Sequence, residues 1–174
     1  MYEPSITDKQ VFEAIRDFLL LVLPTGTEVV RSLNNKVAMP KGNFVTMQAV
    51  TQSRLATNIQ TDTLDLIDGD YSQITQKTEI SIQVDIYSET ASNQASVIST
   101  LFRDAFAYDS FPENIKPLYC DDPKQIVFVN DAMQYEKRFM IMLYLQYDPT
   151  VTVNTQLAVE LNAPTIYPVI EGVL

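Results

Sequence analysis

The fold is decided by residues 117–149, which have the sequence PLYCDDPKQIVFVNDAMQYEKRFMIMLYLQYDP. Within this stretch, segment 137–147 is a predicted strand whose two faces are both apolar, with Phe139, Ile141, Leu143 and Leu145 on one face and Met140, Met142 and Tyr144 on the other. A strand with two apolar faces must be covered on both sides. We therefore expect helices on one side of it, and another layer or another subunit on the second. This pattern is typical of a structural component rather than of a catalyst.

The rest of the chain supplies two predicted helices and several further strands. The first helix begins after Thr7, which forms a capping-box pattern with Gln10, and it ends at Pro24. The second helix is predicted over residues 92–108. Strands are predicted at 28–32, 44–60, 79–87, 125–129 and 135–147, with a bulge at Ala49-Val50 and an exposed hairpin loop at 61–75. In the strand at 79–87, the polar residues Glu79, Ser81, Gln83 and Asp85 are predicted to face water.

This order of elements predicts an α+β fold, with a mainly antiparallel sheet of four to five strands and two helices packed on one face. Residues 1–149 form this single domain in the prediction. Residues 150–174 differ, because Pro164 and Pro168 exclude a long regular element there. We expect them to form an extended C-terminal arm that lies on another surface, with Val151, Val153 and Leu157 among its apolar contacts.

Composition limits the classes of protein to which the chain can belong. The chain has 174 residues, of which 46% are hydrophobic, enough for one domain with a buried core. Its longest apolar run, Phe18–Leu23, is far shorter than the roughly 20 residues of a membrane span. No secretory signal opens the chain. We therefore expect a soluble protein with no membrane partner, working in the compartment where it is made.

Residue types that most enzymes rely on are scarce. Histidine is absent, which removes the commonest general base and the commonest metal ligand. Cys120 is the single cysteine, so a zinc site is disfavoured. Asp65, Asp68 and Asp70 lack the spacing of a calcium loop, and Asp121-Asp122-Pro123 is typical of a turn. We predict no catalytic residue, no metal and no cofactor.

Charge indicates what the protein binds. The formal net charge of −10 makes ordinary groove reading of DNA improbable, since phosphates meet like charge. The charges are also segregated: residues 29–61 contain four basic residues, Arg31 and Arg54 among them, and no acidic one. Residues 62–70 contain four aspartates, Asp62, Asp65, Asp68 and Asp70, and no basic residue. Two interpretations of these blocks stay open: scattered, solvated surface charge, which we favour, and contacts between neighbouring copies.

Seven short stretches occur in a fixed order over about residues 40–155: Pro40-Lys41-Gly42, Ser53-Arg54-Leu55-Ala56-Thr57-Asn58, Gln83-Val84-Asp85-Ile86-Tyr87, Leu101-Phe102-Arg103-Asp104, Pro117-Leu118-Tyr119-Cys120-Asp121-Asp122-Pro123, Gln134-Tyr135-Glu136 and Leu145-Gln146-Tyr147. The series is more specific than any one of its motifs. It resembles the neck or tail terminator proteins of tailed bacteriophages and prophages.

The resemblance implies a structural protein of the virion, made and assembled in the bacterial host cytoplasm. Proteins of this kind form a ring, commonly a hexamer, at the head-proximal end of the tail tube. They stop tube polymerisation and join the tail to the neck. The implied partners are further copies of the chain, the tail tube protein and a neck or head-completion protein, with DNA only as passing cargo. The family has no catalytic residues to transfer.

Candidate contact residues follow from this role. For the subunit or neck interface they are Met140, Met142, Tyr144, Val151, Val153, Leu157, Arg31 and Arg54; for a loop lining the channel they are Asp62, Asp65, Asp68 and Asp70. Two alternatives remain open. One is another neck adaptor, a head-completion protein or a tube subunit. The other is a carboxylate-dependent, metal-binding hydrolase using Asp65, Asp68 or Asp121.

Overall fold

The fold is a helical layer packed on a sheet that continues into a second, smaller sheet. The computed structural model describes residues 2–32, 40, 42–63, 70–129 and 135–155. Over these residues the helices are α1 (Asp8–Val22), α2 (Ala91–Phe102) and α3 (Ala105–Ser110). The strands are β1 (Glu28–Arg31), β2 (Phe44–Arg54), β3 (Ile59–Thr63), β4 (Tyr71–Thr75), β5 (Thr78–Tyr87), β6 (Ile115–Cys120), β7 (Lys124–Val129), β8 (Tyr135–Tyr147) and β9 (Thr150–Asn154).

The larger sheet, called the main sheet below, has the order β1-β2-β5-β8-β6, and β7 pairs with the other half of β8. All its pairings are antiparallel except that of β1 with β2. The prediction of an α+β fold with a mainly antiparallel sheet is therefore confirmed, as are the β7–β8 hairpin and the bulge, which lies between Ala49 and Thr51.

The count of four to five strands was too low, because β6 was missed. Proline disfavours a strand, yet Pro117 lies inside β6, opposite Leu145 of β8. β6 is an edge strand, and its register shifts between Pro117 and Tyr119. An edge position or a bulge is where a sheet tolerates a residue without an N–H group.

The prediction of two helices was also too low. The capping box of α1 is confirmed, since the Thr7 backbone N–H donates to Gln10 Oε1 at 2.8 Å and the Gln10 N–H donates to Thr7 Oγ1 at 3.5 Å. The predicted helix over 92–108 is broken into α2 and α3. Asp104 accounts for the break, because its Oδ1 accepts from the Phe106 N–H at 3.1 Å and caps a new helix start.

The core lies between the helices and one face of the main sheet. β8 contributes Ile141, Leu143 and Leu145, all 0% exposed, and α1 contributes Phe18, whose ring lies 5.6 Å from that of Phe102. Each fully buried side chain of this size contributes about 1.5–3 kcal/mol relative to remaining in water. One cluster of buried residues includes side chains from the helices and from this face of the sheet, as expected for one covered face.

The prediction that Ser81 and Asp85 face water was wrong. They are 2% and 5% exposed, although they lie on the side of β5 away from the helices. Ser81 Oγ lies 2.6 Å from Thr51 Oγ1 on β2, and the Arg138 guanidinium donates to Asp85 at 3.0 Å from β8. Longer side chains of the two flanking strands cover these short polar groups, which a central strand position makes possible.

The three central strands of the main sheet continue into a three-stranded sheet of order β3-β4-β9, called the distal sheet below. β2 leads into β3, β4 into β5, and β8 into β9 across short breaks at 55–58, 76–77 and 148–149, together called the junction. Backbone hydrogen bonds cross the junction: the Leu55 N–H donates to the Lys77 carbonyl at 2.9 Å, and the Gln76 N–H donates to the Pro149 carbonyl at 3.1 Å. The distal sheet is therefore fixed to the main sheet by its own strands.

The distal sheet changes two predictions. The strand predicted over 44–60 is two strands, and the loop predicted over 61–75 contains strand residues at both ends of a hairpin. The C-terminal arm predicted over 150–174 begins with β9, which pairs antiparallel with β4 of the same chain. Residues 156–174 lie outside the described residues.

Substitutions at two neighbouring residues of β8 test whether the two faces of the strand differ in burial. Leu143→Ala should lower the free energy of unfolding by about 2–5 kcal/mol, because the side chain is fully buried beneath the helices. Met142→Ala, on the half-buried opposite face, should cost about 1 kcal/mol or less. Denaturant unfolding of the isolated protein measures both, and equal losses would contradict the assignment of faces.

Candidate functional site

The side of the main sheet away from the helices, called the outer face below, carries an apolar strip. Met140, Met142 and Tyr144 of β8 lie on it and are each half-buried, as the alternation predicts. The Tyr144 ring stacks on that of Tyr119 from β6, with centroids 4.3 Å apart and planes at 16°. Across the strip on β5 lie polar residues, Asp85, Gln83 and Ser81 in register with the three. The strip is therefore narrow and bordered by hydrogen-bonding groups, as in an interface core with a polar rim.

At one end of the outer face lies a cluster of charged and aromatic side chains that the sequence did not predict. The guanidinium of Arg138 pairs with Asp85, and the two side chains are only 22% and 7% exposed. The guanidinium carbon also lies 5.6 Å from the Tyr87 ring, which stacks on Phe44 at 4.5 Å. Removing either charge would leave the buried Asp85 or the partly buried Arg138 without its ion-pair partner, which is costly. The signal in the sequence was an acidic residue near the end of the central strand β5, but its partner Arg138 lies 53 positions away.

The two basic candidate residues are placed differently. Arg31, at the end of β1, forms an ion pair with Asp8 in the first turn of α1, and its guanidinium carbon lies 3.9 Å from the centre of the Phe12 ring. Arg31 therefore joins α1 to β1 within one chain. Arg54 is the last residue of β2, at the junction, and it has no ion-pair partner among the described residues.

The arm candidates Val151 and Val153 belong to the distal sheet. Both are half-buried, and they lie in register with Ile74 and Ser72 of β4. They share one face of the sheet, since alternate residues of a strand point to the same side. Leu157 lies outside the described residues. Structure thus brings Val151 and Val153 together, but places them in a different sheet from Met140, Met142 and Tyr144.

Two of the four lumen candidates are described. Asp62, on β3, is exposed and accepts hydrogen bonds from Ser72 Oγ at 2.5 Å and Gln60 Nε2 at 2.9 Å. These bonds, that of Ser72 above all, lower the pKa of Asp62, so the carboxylate is charged at neutral pH. Asp70 immediately precedes β4 and its carbonyl accepts from the Thr155 N–H at 2.9 Å. Asp65 and Asp68 lie outside the described residues, in the connection between β3 and β4.

The stretch around Cys120 is held together by Arg103, the residue that follows α2. Its guanidinium donates to the Cys120 carbonyl at 2.9 Å and to Asp122 at 2.8 Å. The Cys120 thiol is buried, and burial is the main cause that raises its pKa, so it is a poor nucleophile. Among the described residues no three acidic or cysteine side chains cluster as a metal site would require. The arrangement joins the helical layer to β6.

No helix in the described part of the chain has both the length and the apolar character that crossing a bilayer requires.

Comparison with known proteins identifies the family. Searching curated proteins gave no match. A family model described as phage neck terminator protein matches residues 9–169, which is most of the chain and includes helices, both sheets and the stretches that carry the resemblance. This family is a structural one of the phage neck rather than a family of enzymes. The chain therefore belongs to the phage neck terminator protein family.

Proposed function

We propose that this protein forms a ring, of six copies, at the head-proximal end of the tail tube, where it stops tube polymerisation and joins the tail to the neck. The observation that carries the proposal is the match to the neck terminator family over residues 9–169. The partners are other copies of the chain, the tail tube protein and a neck or head-completion protein. The ring is a virion component at the junction of neck and tail, assembled in the cytoplasm of the bacterial host.

The outer face supports ring formation physically. A closed ring needs a heterologous interface, in which one surface meets a different surface of the next copy. Met140, Met142 and Tyr144 form a half-buried apolar strip with no helix packed on it among the described residues. Contact with a neighbouring copy or with the neck protein would remove this strip from water. The fixed Arg138–Asp85 pair beside it then supplies a polar border that orients the contact.

The acidic hairpin supports a role at the channel. Asp62 is exposed and ionised at the distal end of the chain's strands, and the connection from β3 to β4 adds Asp65 and Asp68. Facing the lumen, such residues would repel DNA phosphates and let the passing genome slide without sticking.

Capping is the property that separates a terminator from its alternatives. When the purified protein is added to growing tail tubes, it should bind one end of each tube and stop its elongation. The amount of protein needed should therefore scale with the number of tube ends. A tube subunit would instead join the tube along its length, and a neck adaptor that binds only the head side would leave elongation unchanged. Either result would overturn the proposal. Heat released on titration with Mg²⁺, Mn²⁺ or Ca²⁺ would favour the carboxylate-dependent hydrolase instead.

Charge reversal in the acidic hairpin tests the channel. In phage that carry Asp65→Lys together with Asp68→Lys, DNA ejection should slow, because lysine attracts the phosphates that aspartate repels. Asp109→Lys is the control, since Asp109 is an exposed residue of α3 in the helical layer. Ejection at the wild-type rate in the double variant, with normal virion assembly, would show that this hairpin does not line the channel.

A further inference from the structure

A cavity of about 450 Å³ opens beside the junction, between the N-terminal segment and the ends of the main-sheet strands. Its floor is buried, formed by Ile6, Thr78 and Tyr147, which are 5%, 6% and 8% exposed. Its rim is formed by exposed or half-buried residues of the N-terminal segment (Pro4, Asp8), of the end of β2 (Gln52, Ser53, Arg54) and of the junction (Gln76, Pro149). The volume lies within the range of about 300–1,000 Å³ typical of binding pockets.

The cavity has fixed walls. The Ser5 N–H donates to the Thr150 carbonyl at 2.9 Å, and the Thr150 N–H donates to Ser5 Oγ at 3.0 Å, so the N-terminal segment is tied to the start of β9. Burial and the nearby Asp8 carboxylate raise the pKa of Tyr147, so its hydroxyl stays protonated. A preformed groove of this kind binds a peptide at a lower entropic cost than a mobile surface would.

Arg54 gives the rim a positive charge. Asp8, the acid on the rim, is paired with Arg31, which does not line the cavity. Arg54 has no acidic partner among the described residues, and Lys77, its neighbour across the junction, has none either. The floor offers the Ile6 and Tyr147 side chains beside the polar Thr78. The rim therefore carries Asp8, which is paired with Arg31, and Arg54, which has no acidic partner among the described residues. This lining suits a largely apolar segment that carries acidic residues and no basic ones.

Residues 156–174, QLAVELNAPTIYPVIEGVL, have this composition. They contain Glu160 and Glu171, no Lys or Arg, and a majority of apolar residues. They follow β9, which runs from the junction to the far end of the distal sheet, where the Thr155 N–H bonds to the Asp70 carbonyl. β9 therefore leads away from its own chain's cavity. At about 3.3 Å per residue the 19 residues of the segment can span up to roughly 60 Å, enough to reach an adjacent copy.

We infer that residues 156–174 of one copy bind in the junction cavity of the neighbouring copy, with apolar side chains on the Tyr147 and Ile6 floor and a glutamate paired with Arg54. This inference rests on the proposed ring, whose head-to-tail interface it identifies. Each copy both donates a segment and accepts one, so the contact is heterologous and closes around a ring.

A charge swap tests the pairing. Arg54→Glu should raise the protein concentration needed for ring assembly by about tenfold or more, because it places like charges together. Glu160→Arg or Glu171→Arg, combined with Arg54→Glu, should restore assembly towards the wild-type concentration. Arg16→Glu is the matched control: Arg16 is an exposed residue of α1 in the helical layer and does not line the cavity, and its reversal should leave assembly unchanged. Assembly is followed by mass measurement in solution and on tail tubes.

Disulfide trapping tests whether the contact joins two chains. Ser53→Cys on the rim and Thr165→Cys in the segment are made in separate proteins, which are then mixed and oxidised under assembling conditions. A disulfide between the two variants is expected, whereas Val127→Cys, at a position 77% exposed on β7, should not replace Ser53→Cys. Buried Cys120 contributes no background.

The outcomes separate this inference from the proposed function. If the wild-type protein forms no ring in solution or on tubes, the proposed function fails and the inference with it. If it forms the ring but Arg54→Glu assembles normally, or neither glutamate exchange restores assembly, the inference alone is wrong. A disulfide that forms only when both cysteines are in one chain would also overturn it, because the segment would then bind its own cavity.

Discussion

The double-sided character of β8 constrains the rest of the molecule. Its inner residues Ile141, Leu143 and Leu145 are fully buried against the helices, while Met140 and Met142 on the other side are half-buried. The inner face is covered within one chain by α1 and α2, whose side chains pack in the same core. The outer face is not covered by any helix of the described residues. The strand therefore gains stability from one face and leaves a half-buried apolar strip on the other, which in our proposal a neighbouring copy or the neck protein covers.

The stretches that carry the family resemblance lie where elements of the fold contact one another or where the backbone turns. Arg103 bonds to the Cys120 carbonyl and to Asp122, and so links two of these stretches directly. Asp85 of a third pairs with Arg138, and Gly42 of a fourth has a φ of +95° in the turn before β2, a conformation that glycine adopts readily. Each of the residues just named makes a structural contact or adopts a backbone conformation that the turn requires. The resemblance therefore reflects the construction of the protein, which accounts for the absence of any recognisable chemical motif in it.

Local patterns predicted the elements whose partners are near in sequence or that show clean periodicity. The capping box at Thr7, the β7–β8 hairpin and the alternation of β8 are of this kind. The failures depended on distant partners: Pro117 was compatible with a strand only because β6 is an edge, and Asp85 is buried only because Arg138 lies across the sheet. Whether three separate strands continue through the junction likewise depends on how the strands pair, which local sequence patterns do not show. The candidate residues were therefore predicted by type and face, and the Arg54 cavity, whose walls come from remote regions, was not.

Oxidation of methionines by peroxide is the most direct measurement of whether assembly covers the outer face. Met140 and Met142 are half-buried, whereas Met47, buried at 2% exposure in the core, is the internal control. In the free protein Met140 and Met142 should oxidise faster than Met47. In rings bound to tail tubes both should become as protected as Met47. Equal oxidation of Met140 and Met142 in the free and the assembled protein would contradict the account, because the apolar strip would then remain exposed to water in the ring.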